Sequence, residues 1–357
     1  MQPRIDRVRE RLAGHGCDAF ISMTPPVNQY LSGFRGTTSV LLITEQHALF
    51  LCDFRYTEQA QDQVSGYDIR ELSGRLLVRA GETVAEMGLS RVAFEPQYTT
   101  YGEIHALQQG AGDVFVPVDA LASKLREVKE PGEIALIREA SELAEGVLAD
   151  LRPFIGEGVQ ERELAARFEY EFKKRGASGA SFDTIALFGA RSSLPHGEPG
   201  AAALQPEDTV LIDCGCRRAG YCSDLTRTYV FGRMPDVWFQ NIYEVTLTAQ
   251  RNALAAIRPG VTCREVDAAA RDVITEAGFG EQFGHGLGHG VGVEVHEAPR
   301  LNPQSETLLE AGMVITVEPG VYLPGQGGVR IEDLVAVTSD GCDVLTRTPK
   351  ELEILVK

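Results

Sequence analysis

The spacing of apolar residues changes along this chain, and the change divides it into two parts. In the first 120 residues or so, short apolar runs bounded by polar residues predict β-strands. These runs occupy residues 19–23, 39–44, 48–52 and 91–95. Helix-like stretches lie at 57–64 and 101–109. The pattern therefore predicts an α/β domain at the N-terminal end of the chain.

A charged segment at 123–130, followed by the turn pair Pro131-Gly132, marks the expected domain boundary. We expect domains at 1–125 and 126–357. Beyond the boundary, apolar residues recur every three or four positions from 133 to 151, which predicts a helix with one apolar face. Further helices are expected near 160–175, 235–257 and 262–278, the last with a Thr262/Glu265 capping box.

An internal repeat links two of these helices. Seven residues recur 102 positions later, including the glycines that end both helices. They are Ile155, Gly158, Val159, Arg162, Glu163, Ala166 and Gly176, matched by Ile257, Gly260, Val261, Arg264, Glu265, Ala268 and Gly278. Convergence of two capped amphipathic helices is the alternative explanation. We expect two halves related by pseudo-two-fold symmetry, and a site at their seam would use both.

Four acidic residues follow or interrupt apolar strands, where an unpaired carboxylate is costly. The strand at 210–215 carries Asp213, and a hairpin through 217–220 would bring Asp224 to a facing strand. In the segment 313–320, an apolar strand leads directly into Glu318. The run 328–337 is expected to form one strand with Glu332 in its middle and Arg330 on the same face. Asp213 and Asp224, each taken alone, have the alternative explanation of a strand-end cap.

Three of the seven histidines, His285, His289 and His296, lie in the glycine-rich segment 284–297. Glycines at this density disfavour a helix, so a helical HExxH zinc motif is not expected here. Four carboxylates and one imidazole are enough ligands for two divalent cations. Mn²⁺ or Co²⁺ suits this oxygen-rich set, and Zn²⁺ or Fe²⁺ could also enter it. Two such ions can activate a bridging water and polarise an amide carbonyl.

The composition of the chain disfavours several kinds of binding partner and cellular location. With 51 acidic and 34 basic residues the net charge is −17, which disfavours nucleic acid and anionic membranes as partners. No apolar run is long enough to span a membrane, and charges near Met1 disfavour a signal peptide. Seven cysteines without paired spacings favour a reducing cytoplasm. Thiolate ligation by Cys214, Cys216 and Cys222 is the less favoured alternative, because no CxxC pair is present.

Six ordered segments resemble the signature of the pita-bread metallopeptidases. They are Leu194-Pro195-His196-Gly197, Ile212-Asp213-Cys214-Gly215, Ser223-Asp224-Leu225-Thr226-Arg227-Thr228, Gly286-Leu287-Gly288-His289-Gly290-Val291-Gly292 with Val295-His296-Glu297, Val317-Glu318-Pro319-Gly320-Val321-Tyr322, and Val329-Arg330-Ile331-Glu332-Asp333. The match is to the Xaa-Pro branch, prolidase (Xaa-Pro dipeptidase) and aminopeptidase P. It covers the whole chain and implies a creatinase-type N-terminal α/β domain followed by an α+β pita-bread catalytic domain.

The resemblance also implies roles for individual residues. Five would ligate two metal ions, with Asp224 and Glu332 bridging them, Asp213 serving one ion, and His289 and Glu318 serving the other. Glu318 would also act as a base. His196, His285 and His296 would line the pocket, with His296 stabilising the oxyanion, and Tyr322 and Arg330 would orient substrate. The implied reaction is attack of a metal-bound hydroxide on the bond before proline in a dipeptide or short peptide.

Several alternatives stay open at this point. A creatinase-like hydrolase lacks the metal set, and a methionine aminopeptidase lacks the N-terminal domain. A non-catalytic pita-bread module that binds peptides is expected to have lost ligands. Substrate length is undecided between dipeptides and longer peptides. Arg35 is a candidate receptor for a substrate carboxylate or an ordinary exposed turn residue. The resemblance further implies a homodimer.

Overall fold

The computed structural model describes residues 1–356. The chain divides into two compact units, Met1–Arg126 and Glu127–Lys357. No helix within residues 1–356 combines the length and the apolar character needed to cross a membrane.

The first unit is built around a six-stranded sheet with the strand order β4-β3-β2-β1-β5-β6. Its strands are β1 (Ala19–Ser22), β2 (Val40–Thr44), β3 (Ala48–Cys52), β4 (Asp68–Glu71), β5 (Val92–Phe94) and β6 (Phe115–Pro117). Its helices are α1 (Gln2–His15), α2 (Pro25–Ser32), α3 (Thr57–Gln63), α4 (Leu76–Glu86) and α5 (Tyr101–Ala111). Strand β2 is antiparallel to both neighbours, and the other pairs are parallel. The α/β prediction is confirmed.

Four helices of the second unit correspond to the four predicted from apolar periodicity. They are α6 (Pro131–Leu151), α7 (Glu161–Lys174), α8 (Val237–Ala256) and α9 (Cys263–Glu276). The predicted capping box at α9 is present, because the Thr262 side chain accepts from Glu265 N and Glu265 accepts from Thr262 N. Sequence spacing located these helices because each buries one face, and the first turn of α9 carries its own cap.

The strands of the second unit form four sheets. The sheet orders are β11-β10-β7, β20-β12-β9-β8, β14-β13-β15-β18-β19 and β16-β17. The strands are β7 (Gly179–Ala180), β8 (Ile185–Phe188), β9 (Thr209–Cys214), β10 (Cys216–Arg218), β11 (Tyr221–Cys222), β12 (Leu225–Phe231), β13 (Gly288–Gly290), β14 (Glu297–Leu301), β15 (Val314–Val317), β16 (Gly320–Leu323), β17 (Gly327–Arg330), β18 (Asp333–Val337), β19 (Cys342–Val344) and β20 (Ile354–Leu355).

The internal repeat is visible in the backbone. Helices α7 and α9 each have 14 residues. Gly158 and Gly260 precede them with φ of 82° and 84°, and the glycines that follow them, Gly176 and Gly278, have φ of 90° and 87°. Each helix lies against its own apolar core. The second unit therefore contains two similar halves, as the sequence predicts.

The prediction of one continuous strand at 328–337 is wrong, because the segment forms two strands. Strand β17 ends at Arg330 and β18 begins at Asp333, so Glu332 lies in the break between two strands that belong to different sheets. The Glu332 N–H is donated to Thr226 O instead of a neighbour within a regular ladder. The break turns the chain so that both Arg330 and Glu332 face the same cavity.

Candidate metal centre

Asp213 and Asp224 are brought together by the antiparallel pair β9–β12. Asp213 near the end of β9 lies directly opposite Thr226 on β12, and Asp224 precedes β12. The intervening hairpin of β10 and β11 turns at Ala219 and Gly220, which both have positive φ. The predicted hairpin is therefore present, and it places the two aspartates side by side.

Asp213, Asp224 and Glu332 form a compact carboxylate cluster whose ligand oxygens all lie within 4.8 Å of one another. Burial, together with the neighbouring acids, raises the pKa of Asp224 and Glu332 well above their usual range, and burial also raises that of Asp213. Two buried oxygens, Asp213 Oδ1 and Glu332 Oε1, have no hydrogen-bond partner within residues 1–356. Buried carboxylate oxygens without donors are the expected ligands of a cation.

His289, in the short strand β13, presents one ring nitrogen to this cluster. Its Nδ1 is 3.1 Å from Gly290 O, and because a carbonyl can only accept, Nδ1 carries the proton. In the neutral ring Nε2 then keeps its lone pair, and it lies 3.3 Å from Glu318 Oε1 and 3.7 Å from Asp224 Oδ2. This is the tautomer that a metal ligand requires.

The glycine before His289 allows its strand to approach β15. A Cβ atom at Gly288 would lie 2.1 Å from Thr316 O, closer than any side chain can tolerate. This approach lets the His289 N–H reach Thr316 Oγ1 at 3.0 Å. Glycine in this segment is therefore a packing requirement for placing the histidine.

Glu318 differs electrostatically from the other three acids. Burial alone would raise its pKa, but the hydrogen bond that the His289 side chain can donate to it, together with the charges of His285 and Arg330, outweighs burial and lowers the pKa. Its Oε1 accepts from Thr316 Oγ1 at 3.1 Å. Glu318 is therefore held as a carboxylate at the edge of the cluster.

Arg330 connects the carboxylate cluster to an aromatic and an imidazole side chain. Its Nη2 donates to Asp213 Oδ2 at 2.6 Å, and its Nη1 donates to Tyr322 Oη at 3.0 Å. Tyr322 Oη lies 3.0 Å from His285 Nε2, while His285 Nδ1 lies 2.7 Å from Gly286 O. Since the carbonyl requires Nδ1–H, the tyrosine donates to Nε2, and the order of donation is Arg330, Tyr322, His285.

All these groups surround one cavity of about 540 Å³. It is lined by nine of the ten predicted site residues: His196, Asp213, Asp224, His285, His289, His296, Glu318, Arg330 and Glu332. Tyr322, the tenth, lies behind His285 and Arg330. The rings of His289 and His296 are 4.3 Å apart, and burial with His289 and Arg300 nearby lowers the pKa of His296 to about 4. The structure thus gathers the predicted set, while ligation and catalysis stay predictions.

Buried networks support two of the site segments from behind. Arg227 donates to the backbone O of Glu332 and, at 2.8 Å, to Asp333 Oδ1, and Lys350 donates to Asp333 Oδ2 at 2.6 Å. On α9, Asp267 accepts two hydrogen bonds from Arg271, whose Nη2 donates to His285 O at 2.8 Å. These networks fix the backbone at Glu332 and His285.

Sequence reasoning missed several residues that contact or line the site. Thr226 and Thr316 bond directly to the clustered acids. Each threonine lies two positions from an acid, Asp224 or Glu318, so strand alternation was the signal that could have found them. Arg300 lines the cavity too, and within residues 1–356 no acidic side chain forms an ion pair with it.

The alternative of thiolate ligation is not supported by the positions of the cysteines. Burial raises the pKa of Cys214, Cys216 and Cys222. Cys216 Sγ donates to Ala140 O and Cys222 Sγ to Val293 O. None of the three lines the cavity. They are buried packing residues.

Comparison with known families agrees with this geometry. Residues 135–339 match the model of metallopeptidase family M24. The chain belongs to this family. Residues 4–128 match the creatinase/prolidase N-terminal domain, so the chain combines that domain with a pita-bread catalytic domain. Membership implies an enzyme that uses divalent metal ions.

Three relatives of this M24 family member can be aligned with it over almost the whole length of both chains. The Xaa-Pro dipeptidase of Pyrococcus horikoshii is 37% identical over 99% of both chains. Among solved structures, the Xaa-Pro dipeptidase from Bacillus anthracis is 42% identical, with a TM-score of 0.96 over 99% of each chain. The X-Pro aminopeptidase from Thermotoga maritima is 36% identical, with a TM-score of 0.90 over 99% of this chain and 100% of that one.

Proposed function

We propose that this protein is an Xaa-Pro dipeptidase that hydrolyses the bond before proline with the help of two divalent metal ions. One observation carries the proposal: three buried carboxylates converge within 4.8 Å, and two of their oxygens have no partner within residues 1–356. The relatives named as Xaa-Pro dipeptidases support the choice of substrate.

The donor set fits such ions. Asp213, Asp224 and Glu332 supply the clustered oxygens, and His289 Nε2 and Glu318 extend the set to five residues. Oxygen ligands with one imidazole suit Mn²⁺ or Co²⁺, with Zn²⁺ or Fe²⁺ as alternatives. When bound, the ions would supply Lewis acidity towards the scissile carbonyl and a water activated at neutral pH.

The remaining steps belong to the side chains of this chain. Glu318 Oε1 is engaged by Thr316, so Oε2 would accept the proton of the attacking water and return it to the proline nitrogen. An amide nitrogen departs as an amine, so the proline nitrogen needs a proton as the bond breaks. His296, beside His289 in the cavity wall, would donate to the developing oxyanion. Arg330 would hold Asp213 and Tyr322 in place.

Arg300 supports a dipeptide rather than a longer peptide as substrate. It is a cation in the cavity lining that forms no ion pair with an acidic side chain within residues 1–356. A guanidinium in that position matches the free carboxylate of a C-terminal proline through two parallel hydrogen bonds. Arg35 is the other candidate. It is exposed in the first unit, where its backbone N donates to Gln63 Oε1.

A peptide-binding module without activity, or a creatinase-like hydrolase without metals, is the alternative. Neither requires five ligand-type residues around one cavity, and neither accounts for buried oxygens without partners. These observations favour the metallopeptidase.

The test compares substrates of different length. Protein stripped with EDTA and reloaded with Mn²⁺ or Co²⁺ is expected to release proline from Ala-Pro much faster than it cleaves Ala-Pro-Ala, and the stripped protein is expected to be inactive. Asp224→Asn serves as the control without a complete ligand set. No metal-dependent release from either peptide would refute the proposal, and faster cleavage of the tripeptide would assign an aminopeptidase.

Two organisational proposals accompany this function. The N-terminal domain is proposed to span 1–125 and the catalytic domain 126–357, and the protein is proposed to be a homodimer. Limited proteolysis with mass spectrometry should find cleavage near 125 if the boundary is exposed there. One chain has a mass of 38.8 kDa, and sedimentation equilibrium should give twice that mass for the dimer.

A further inference from the structure

Two buried threonine hydroxyls in the second unit make the same pattern of hydrogen bonds. Thr226 Oγ1 accepts from Arg330 Nε at 3.1 Å and donates to Glu332 Oε2 at 2.7 Å. Thr316 Oγ1 accepts from His289 N at 3.0 Å and donates to Glu318 Oε1 at 3.1 Å. Both threonines have an exposed fraction of 0%. Each hydroxyl therefore bridges a donor and an acidic side chain away from bulk water.

The direction of both hydrogen-bond chains is determined by chemistry. A guanidinium N–H and a backbone N–H can only donate, so each hydroxyl must accept from them. A hydroxyl has a single proton, which each threonine then gives to the carboxylate. One oxygen of each glutamate is occupied in this way. Glu332 Oε1 is left buried and has no hydrogen-bond partner within residues 1–356.

The two threonines belong to different halves of the second unit. Thr226 lies on β12 opposite Asp213, and Thr316 lies on β15 two residues before Glu318. Thr316 contacts two of the proposed ligands, Glu318 and the backbone of His289. Thr226 donates to Glu332, which is expected to bridge both ions, and also lies against a second proposed ligand, Asp213. The two hydroxyls should therefore affect the ions differently.

The geometry points to Thr226 and Thr316 as positioning residues of the metal centre. Each threonine hydroxyl accepts a hydrogen bond from a group that can only donate, so it must donate its own proton to one glutamate and orients that side chain. The inference rests on the metal ligation proposed above. Thr316 serves the single ion held by His289 and Glu318, and Thr226 serves both ions through Glu332. Partners of this kind affect metal affinity by about tenfold to a hundredfold.

The test is a calorimetric titration of metal-free protein with Mn²⁺. Thr316→Val removes the hydroxyl with little change of shape, and we expect it to weaken one of two Mn²⁺ sites by about tenfold or more while the other site is unchanged. Thr226→Val is expected to weaken both sites. Thr226→Ser and Thr316→Ser keep the hydroxyl and should bind Mn²⁺ as the wild type does.

A matched control separates this role from general loss of a buried hydroxyl. Thr209 is buried at the start of β9, and its hydroxyl donates to Gly189 O, remote from the acids. Thr209→Val should leave both Mn²⁺ affinities unchanged. Circular dichroism checks folding, and where a valine variant does not fold, the corresponding alanine variant is titrated instead.

The outcomes separate the inference from the proposed function. Unchanged Mn²⁺ binding in both valine variants, equal losses in the serine and valine variants, or an equal loss in Thr209→Val would each overturn the role of the threonines. In those cases wild-type protein would still bind two Mn²⁺ and release proline from Ala-Pro. Wild-type protein that binds no Mn²⁺ would instead refute the proposed function, and the inference with it.

Discussion

Arg330 donates a hydrogen bond from Nη2 to Asp213 Oδ2 over 2.6 Å, and both side chains are buried in the cavity wall. Without Arg330, Asp213 would be a buried carboxylate beside other acids and would lose the only ion pair that it forms within residues 1–356. We expect Arg330→Met to lower the free energy of unfolding of the metal-free protein by about 3 kcal/mol, as removal of one partner of a buried ion pair does.

Urea unfolding measures this loss. The matched control is the double variant Asp213→Asn with Arg330→Met, which removes both charges and should be less destabilised than Arg330→Met alone. A loss of less than about 1 kcal/mol for Arg330→Met would show that the pair behaves like an exposed ion pair.

The acid cluster makes the stability of metal-free protein depend on pH. Burial raises the pKa of Asp213, Asp224 and Glu332, so the folded state holds protons that the unfolded state releases above about pH 4. These three groups therefore favour unfolding increasingly as pH rises from about 4 towards their folded pKa values. Asp224→Asn removes one such charge. It should raise the melting temperature of metal-free protein, more at pH 7 than at pH 4.

Differential scanning calorimetry in EDTA checks this difference, in which the contributions of carboxylates remote from Asp224 cancel. With Mn²⁺ added at pH 7 the order should reverse, because wild-type protein gains binding energy that Asp224→Asn has largely lost. If the difference in melting temperature between Asp224→Asn and wild type is the same at pH 4 and pH 7, the pKa of Asp224 is not raised.

Arg300 is expected to recognise the carboxylate of a dipeptide. Arg300→Met should raise KM for Ala-Pro by about tenfold or more, because it removes the charge-assisted hydrogen bonds to the carboxylate, with kcat nearly unchanged. The amide Ala-Pro-NH₂ has no carboxylate, so its KM should not respond to the substitution. Steady-state kinetics on the two substrates measure the contrast.

Arg35→Ala is the matched comparison, because Arg35 is the other candidate for the same role. If Arg35→Ala shifts KM for Ala-Pro selectively and Arg300→Met does not, the carboxylate is recognised by Arg35. If both peptides respond equally to Arg300→Met, Arg300 does not recognise the carboxylate.

His296 is expected to act on the transition state rather than on bound substrate. Its ring is 4.3 Å from that of His289 and faces the cavity. His296→Ala should lower kcat by about a hundredfold while KM for Ala-Pro changes little, as for loss of an oxyanion donor. His105→Ala, in the first unit, is the control. A rise in KM at constant kcat would place His296 in substrate binding instead.

Gly288 is expected to be intolerant of any side chain. A Cβ there would meet Thr316 O at 2.1 Å, whereas a Cβ at Gly284 in the same segment would meet nothing within 4 Å. Gly288→Ala should therefore separate β13 from β15 and destabilise the protein by about 2 kcal/mol or more. Gly284→Ala should be close to wild type. Urea unfolding of both variants checks the contrast, and equal stability would contradict the close approach.

Much of this site could be predicted because its acids interrupt apolar strands. A carboxylate next to Ile212 or Val317 is conspicuous, since a buried strand tolerates it only with a partner. The repeated helix with its glycines likewise showed that the catalytic part has two halves. Helix α4 was not predicted, although one of its faces is apolar: Gly81, a poor helix former, lies in its middle, and only the packing shows that Gly81 and Gly110 let two helix backbones approach closely.

The sequence by itself determined the α/β and two-half organisation, the acids and histidines of the centre, and the family resemblance. Local spacing and strand alternation are properties of neighbouring residues, so they can be read along the chain. Only the tertiary structure decided that the chain breaks at Glu332, that Thr226 and Thr316 hold the glutamates, and that Arg300 enters the cavity. These contacts join residues up to about a hundred positions apart, and such pairings depend on how strands of different sheets pack.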